Sequence, residues 1–132
     1  MQVAIGGHTF LVEGDVVQCM LQGDFTAQHA RELFVLLEQV QADEGSFVIL
    51  ADISQMGTID AAARRWMALE SRRFACRATA MYGASLPART VITLLLRSLA
   101  LFRPTLMPLH FAKTEQEARL WLEAQRPAQQ IG

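Results

Sequence analysis

Ser46-Phe47-Val48-Ile49-Leu50-Ala51-Asp52-Ile53-Ser54-Gln55-Met56-Gly57-Thr58-Ile59-Asp60 is the stretch whose reading decides the fold. Its first part, Phe47 to Ala51, is a continuous apolar run closed by Asp, Ser and Gly. That pattern is the mark of an inner strand covered on both faces. Asp52 to Ile59 read as a turn, and Asp60 as the cap of a helix. Such strands end where α/β proteins usually place their sites, which makes Asp52, Ser54, Asp60 and Ala61 the first binding candidates.

Upstream, His8 to Glu13 and Val16 to Gln22 are two extended runs joined by Glu13-Gly14-Asp15, a hairpin in which glycine supplies the positive φ of a tight turn. Gly23-Asp24-Phe25 then breaks the pattern. Thr26 caps a helix to about Asp43, whose Ala30, Leu33, Phe34, Leu37 and Val40 recur at helical spacing, and Gly45 ends it. Downstream, Asp60 caps a helix to roughly Phe74, with Arg64, Arg65, Arg72 and Arg73 on its solvated side. Ala78 to Gly83 is a short apolar strand, and Ala84-Ser85-Leu86-Pro87 turns it into a third helix, with serine as cap and proline in the first turn.

That third helix, about Leu86 to Phe102, is the odd one. Arg89, Thr93 and Arg97 form a narrow stripe, while Val91, Ile92, Leu94, Leu95, Leu96, Leu99 and Leu101 cover most of the rest. One sheet-facing stripe cannot use so much apolar surface, and the run is shorter than the roughly 20 apolar residues of a membrane span. A second partner is expected, with Leu95, Leu96 and Leu99 turned away from the helix's own sheet to meet a second copy, a neighbouring helix, a lipid surface in peripheral contact, or an apolar ligand. Met107 to Ala112 makes the last strand. Thr114-Glu115-Gln116-Glu117 opens a final helix with Ala118, Trp121 and Leu122 inward, stopped by Pro127.

The order β-β-α-β-α-β-α-β-α predicts an α/β fold with a mixed, mostly parallel sheet and right-handed crossovers, its helices on both faces or on one face with the other closed by a partner. The expected domain is 1–127, followed by a frayed tail at 128–132. At 132 residues, 52% hydrophobic and 19% charged, the chain can bury a core without staples. A net charge of −1 gives no footprint for nucleic acid. Cys19 and Cys76 read as two buried thiols of a reduced intracellular protein, and the first residues carry no signal-peptide pattern; the expected location is cytoplasmic.

The stretch Leu50-Ala51-Asp52-Ile53-Ser54-Gln55-Met56-Gly57-Thr58-Ile59-Asp60-Ala61-Ala62 resembles the strand-turn-helix signature of the STAS family, shared by sulfate transporters and bacterial anti-sigma factor antagonists. Asp52, Ile53, Ser54, Met56, Ile59 and Asp60 match it in register, and the element order is similar over nearly the whole chain. Where the antagonists carry a serine phosphorylated by a partner kinase, this chain has Ala61, which has no hydroxyl to take the roughly two negative charges of a phosphate. The glycines that often follow are replaced by Ala63 and Arg64-Arg65-Trp66. The chain resembles more closely the SpoIIAA-like branch, which is grouped with lipid-binding domains of related fold. The resemblance implies a non-enzymatic regulatory or protein-interaction module, acting on a protein partner or as a homodimer and not phospho-switched at the usual position.

Two other readings come from the residues. A binding domain for a lipid-like or anionic small molecule would admit its ligand between the third helix and the sheet, with Arg89 or Arg97 on the head group. In an anion-binding version, free N–H groups behind Ser85 act with Arg89. A hydrolase would rest on Ser85 and His110, but the nucleophile-elbow pattern fails at Pro87 and lacks its acid, so helix capping is the better account of Ser85. His8, His29 and His110 show no metal-ligand spacing, and the sequence calls for no cofactor.

Overall fold

The computed structural model describes residues 1–100 and 108–125, with side chains throughout except at 98–100. The described residues form a six-stranded sheet and four helices: β1 (Gln2–Ile5), β2 (His8–Glu13), β3 (Val16–Phe25), α1 (Ala27–Glu44), β4 (Phe47–Ile59), α2 (Ala61–Glu70), β5 (Cys76–Tyr82), α3 (Leu86–Ala100), β6 (Leu109–Ala112) and α4 (Glu115–Ala124), with a turn of 3-10 helix at Ser71–Arg73. The strands lie side by side in chain order. β1, β2 and β3 are antiparallel; β3 through β6 are parallel, joined by α1, α2 and α3. This is the mixed, mostly parallel α/β sheet that the sequence order predicts.

Two features differ from expectation. The chain opens with the additional strand β1, folded back on β2 with Ile5 opposite His8 across Gly6-Gly7. Asp52 to Ile59 are not a turn, because β4 continues through them for 13 residues in all. Its extension pairs with the end of β3, which runs on past the expected Gln22 through Gly23 to Phe25: Gln22 with Gln55, Gly23 with Met56 and Phe25 with Ile59, through two irregularities in register. β5 pairs with β4 only as far as Asp52, opposite Tyr82, so beyond that point β3 and β4 form a two-stranded arm. The arm ends at the start of α2.

Alternation along the strands sorts side chains between two layers. Phe47, Ala51 and Ile53 of β4 join Phe10, Val17 and Cys19 in a core with Phe34 and Leu37 of α1, Ala63 and Met67 of α2, and Ala88 and Ile92 of α3. Val48 and Leu50 point the other way, where with Ala78, Ala80 and Ala112 they meet Ala118 and Leu122 of α4. Helices therefore cover both faces, three against one. Phe10, Phe47, Leu50 and Ile53 are almost wholly enclosed, each stabilising the fold by about 1.5–3 kcal/mol relative to exposure.

The layering explains α3. It packs against α2 as well as the sheet, so its broad apolar surface has two neighbours within the chain. Ala88 and Ile92 are buried, and Val91, Leu95 and Leu96 pack against the same core. Leu95 and Leu96, expected to face away from the sheet, are thus placed on its side; the outward leucines are Leu86, 81% exposed, and Leu94, 42% exposed. Leu99, Met107 and the tail at 128–132 lie outside the described side chains and residues. Among the described residues no helix is long and apolar enough to cross a membrane.

Candidate functional site

Asp52, Ser54, Asp60, Ala61 and Ser85 fall between the middle of β4 and its end, or just after β4 and β5, but not in one cluster, and Arg97 stands apart in the last turn of α3. Asp52 Oδ1 accepts hydrogen bonds from the Ser54 backbone N–H at 3.0 Å and the Ser54 hydroxyl at 2.7 Å. Gly83, with φ 79°, lies so close that a Cβ placed on it would be 2.8 Å from the Ser54 Cβ. Asp52, Ser54 and the turn before α3 therefore form one corner. Asp60 and Ala61 stand at the far end of the arm.

That far end is braced from several directions. Asp60 Oδ1 accepts the Ala63 N–H at 2.8 Å as the α2 cap, and the Asp60 N–H donates to the Phe25 carbonyl at 3.2 Å. Arg64 Nη1 donates to the Ile59 carbonyl at 2.6 Å. Across the arm, the Thr58 N–H donates to Asp24 Oδ1 at 2.8 Å, and this bond holds the Asp24 carboxyl below its ordinary pKa. Asp60, Ala61 and Ala62 are exposed. The result is a fixed, solvent-facing helix start with no hydroxyl at its first position.

Ser85 caps α3 by accepting the Ala88 N–H at 3.2 Å. The Arg89 guanidinium lies 5.0 Å over the Phe111 ring, a cation–π contact that draws it toward β6. Arg97 is exposed. Ser85 and His110 are not brought together: His110 lies on the α4 side, stacked on Trp121 at 5.2 Å with Nε2 3.2 Å from Glu117 Oε2.

Beneath α3 are two adjoining cavities of about 150 and 140 Å3, sharing Leu33, Ile49, Met67 and Leu95 as walls. The larger also meets Cys19, Thr79, Ile92 and Leu96. Burial pushes the Cys19 thiol up to about 12, so it behaves there as a small neutral side chain. Recesses lined in this way, almost wholly by apolar side chains, suit apolar molecules.

Sequence reasoning missed a polar seam under α4. Tyr82 donates to Glu115 Oε1 at 3.2 Å, while Arg119 reaches Glu115 Oε2 at 2.7 Å and Gln18 Oε1 at 3.2 Å. Burial, and then the negative charges of Asp52 and Glu115, raise the Tyr82 phenol to about 12 and keep it a donor. Only the Glu115–Arg119 pair, one helical turn apart, carried a local signal.

This geometry can be set beside known proteins. The SpoIIAA-like family model matches residues 16–123, from the start of β3 into the last turn of α4. The chain belongs to the SpoIIAA-like family. Its fold is similar to the anti-sigma factor antagonist SpoIIAA in its unphosphorylated form (TM-score 0.57, 16% identity, 86% of this chain and 97% of that one). It is equally similar to an uncharacterized protein of the DUF3478 family with a SpoIIAA-like fold from Shewanella loihica (TM-score 0.57, 20% identity, 92% and 95%). The Bacillus cell fate determinant SpoIIAA in the phosphorylated form gives a TM-score of 0.53 at 18% identity, over 86% and 98%. No curated protein matches. These likenesses establish the fold of this SpoIIAA-like chain; its own partners and ligands are a separate question.

Proposed function

We propose that this SpoIIAA-like chain is a non-enzymatic regulatory module that binds a protein partner, or a second copy of itself, through the exposed start of α2. The observation that carries the reading is the bracing of that start: four hydrogen bonds, accepted by Asp24, Phe25, Ile59 and Asp60, hold the end of the arm and the first turn of α2, while Asp60 to Ala62 stay open to solvent. A prearranged surface loses little conformational freedom on binding. With alanine at position 61, the contact is not switched by phosphate there, in contrast to a solved relative described in phosphorylated and unphosphorylated forms.

The test replaces Ala61 by Arg. The side chain is exposed and arginine is a good helix former, so the melting temperature should stay within a degree or two. Binding to the partner recovered with the unaltered protein, or self-association measured by sedimentation, should fall at least about tenfold. Unchanged association at unchanged stability would move the contact elsewhere.

The cavities beneath α3 favour a second reading, a binding domain for an apolar, lipid-like molecule. Arg89 at the edge of the sheet and the exposed Arg97 are its candidates for a head group. Native mass spectrometry after gentle purification separates the two readings, since a retained small-molecule mass supports the second and a clean protein complex the first.

A further inference from the structure

Charge is sorted along this chain. Residues 1–60 hold nine carboxylates and a single cation, Arg31, whereas residues 61–114 hold nine cations and a single carboxylate, Glu70. The fold brings part of each set onto one helical layer: α1 exposes Glu32, Glu38, Asp43 and Glu44, and α2, packed between α1 and α3, begins the arginine-bearing side.

Several of these arginines have partners within the chain. Arg73 pairs with Glu38 and Glu70, and Arg64 donates to the Ile59 carbonyl. Arg77 gives Nη1 to the Ser46 hydroxyl at 2.5 Å and Nη2 to Asp15 Oδ2 at 2.6 Å, clasping the starts of β3, β4 and β5. Arg89 lies over Phe111. The side chains of Arg65, Arg72 and Arg97 are exposed, and none of the three makes a hydrogen bond, ion pair or ring contact with another described residue. Arg65 and Arg72 share the outward side of α2 and the turn after it with Ala61, Ala62 and Leu69, which is 41% exposed. They therefore continue the surface at the start of α2, and α3 adds Arg97 and Leu94 beside them.

Three properties decide what matches this row. Its cations are all arginine, while the chain's one lysine, Lys113, lies beyond β6; the planar guanidinium fork suits a carboxylate in two-bond geometry. Exposed leucine stands among them, so the match needs an apolar side chain as well as charge. The acidic α1 runs alongside, so a broad polyanion such as a membrane or a nucleic-acid duplex would meet Glu32, Asp43 and Glu44 as it covered the layer. A narrow segment laid along α2 would not.

We propose that this row seats an acidic segment of a partner protein, with carboxylates about 10 Å apart, the two-turn separation of Arg65 and Arg72, and an apolar side chain between them over Leu69. It rests on the reading of the α2 start as a contact surface and names the chemistry of what meets it. At Ala61 and Ala62 the partner comes close to the backbone, so bulk governs there rather than charge.

The probe is a synthetic helical peptide of about five turns with rows of glutamate on either side of a row of leucine, set against its glutamine counterpart by fluorescence anisotropy. The glutamate peptide should bind saturably, at least about tenfold more tightly than the glutamine one, and weaken by at least about tenfold between about 0.05 and 0.5 M salt. Arg65→Glu should weaken it at least about tenfold at an unchanged melting temperature. Lys113→Glu, the same change in net charge at an exposed position elsewhere, should weaken it less than about twofold. The proposal is overturned if the two peptides bind alike, if the two substitutions act alike, or if Arg65→Glu abolishes binding to phosphatidylglycerol vesicles or duplex DNA and spares the peptide. Sedimentation in which Arg65→Glu dissolves a dimer would give the row to a second copy and equally overturn it. Photo-crosslinking from position 61 separates this from the reading beneath it: an adduct undiminished by Arg65→Glu sinks the acidic partner alone, and no adduct at all sinks the contact surface with it.

Discussion

His8 makes the stability of this molecule depend on pH in a direction that can be worked out beforehand. The ring is 1% exposed, and its Nδ1 accepts the Gln22 backbone N–H at 3.0 Å. A backbone N–H can only donate, so the proton sits on Nε2, which donates to the Asp24 carbonyl at 3.1 Å. Phe25 and the edge-on ring of His29 complete the surroundings, with centroids at 5.2 and 4.9 Å. Adding a proton would set one N–H against another in a site shut off from water. Burial, opposed by the bond to Asp24 and reinforced by His29, lowers the His8 pKa from 6.5.

An unfolded chain binds this proton near pH 6.5, the folded one only at lower pH. The stabilisation from a neutral His8 is therefore fully present above about pH 6.5 and is lost as pH falls through the folded pKa, with a slope no steeper than about 1.4 kcal/mol per pH unit from the one group. Urea unfolding between about pH 7.5 and 5 would measure it. His8→Asn keeps an acceptor for Gln22 but cannot titrate; it should cost about 1–2 kcal/mol at neutral pH and flatten the acid limb. Hydrogen-exchange protection at Gln22 to Asp24, corrected for the slower intrinsic exchange in acid, should fall on acidification in the natural protein alone. Equal slopes for the two proteins, or a natural protein that gains stability in acid, would refute the reasoning.

Leu95→Glu, which would have tested an outward interface had the side chain faced away, should instead destabilise the fold by about 2–4 kcal/mol in chemical denaturation, because it introduces a charge between two apolar cavities. Gly83→Ala should cost about 1–3 kcal/mol, since it combines φ 79° with a clash on Ser54; Gly14→Ala, at φ 60° with nothing within 4 Å, should cost only the conformational part, about 1 kcal/mol. Thr26→Ala removes the hydroxyl that accepts the His29 N–H at 3.2 Å and should lower stability by about 0.5–2 kcal/mol in the same assay.

The parts of the fold legible in the sequence are those governed by near neighbours. Thr26, Asp60, Ser85 and Thr114 cap helices as their residue types suggest, because a cap depends on three or four consecutive positions. The β3–β4 arm was not legible. Asp24, Ser54 and Gly57 are turn-forming residues, and they stay within strands because each strand supplies the other's hydrogen bonds across more than thirty residues of chain, while Gly23, at φ 78°, takes up an irregularity in register. β1 left only a faint sign, the Gly6-Gly7 pair between Val3 and Ile5 on one side and His8 and Phe10 on the other. The excess of leucine in α3 correctly signalled more than one partner; which partner depended on where α2 came to lie. The corner of Asp52, Ser54 and Gly83 follows from the central strand, whereas the cavities, the Tyr82 seam and the Arg77 clasp join residues from distant elements and leave no local pattern.

The central claim is that the start of α2 is a contact surface. A photoreactive amino acid installed at position 61 in cells, with a second installation at the exposed Glu32 of α1 as control, tests it directly. The account predicts a discrete covalent adduct from position 61, to one other protein or to a second copy of the chain, and none from position 32. Adducts that are absent at 61, or that are the same at both positions, would contradict it.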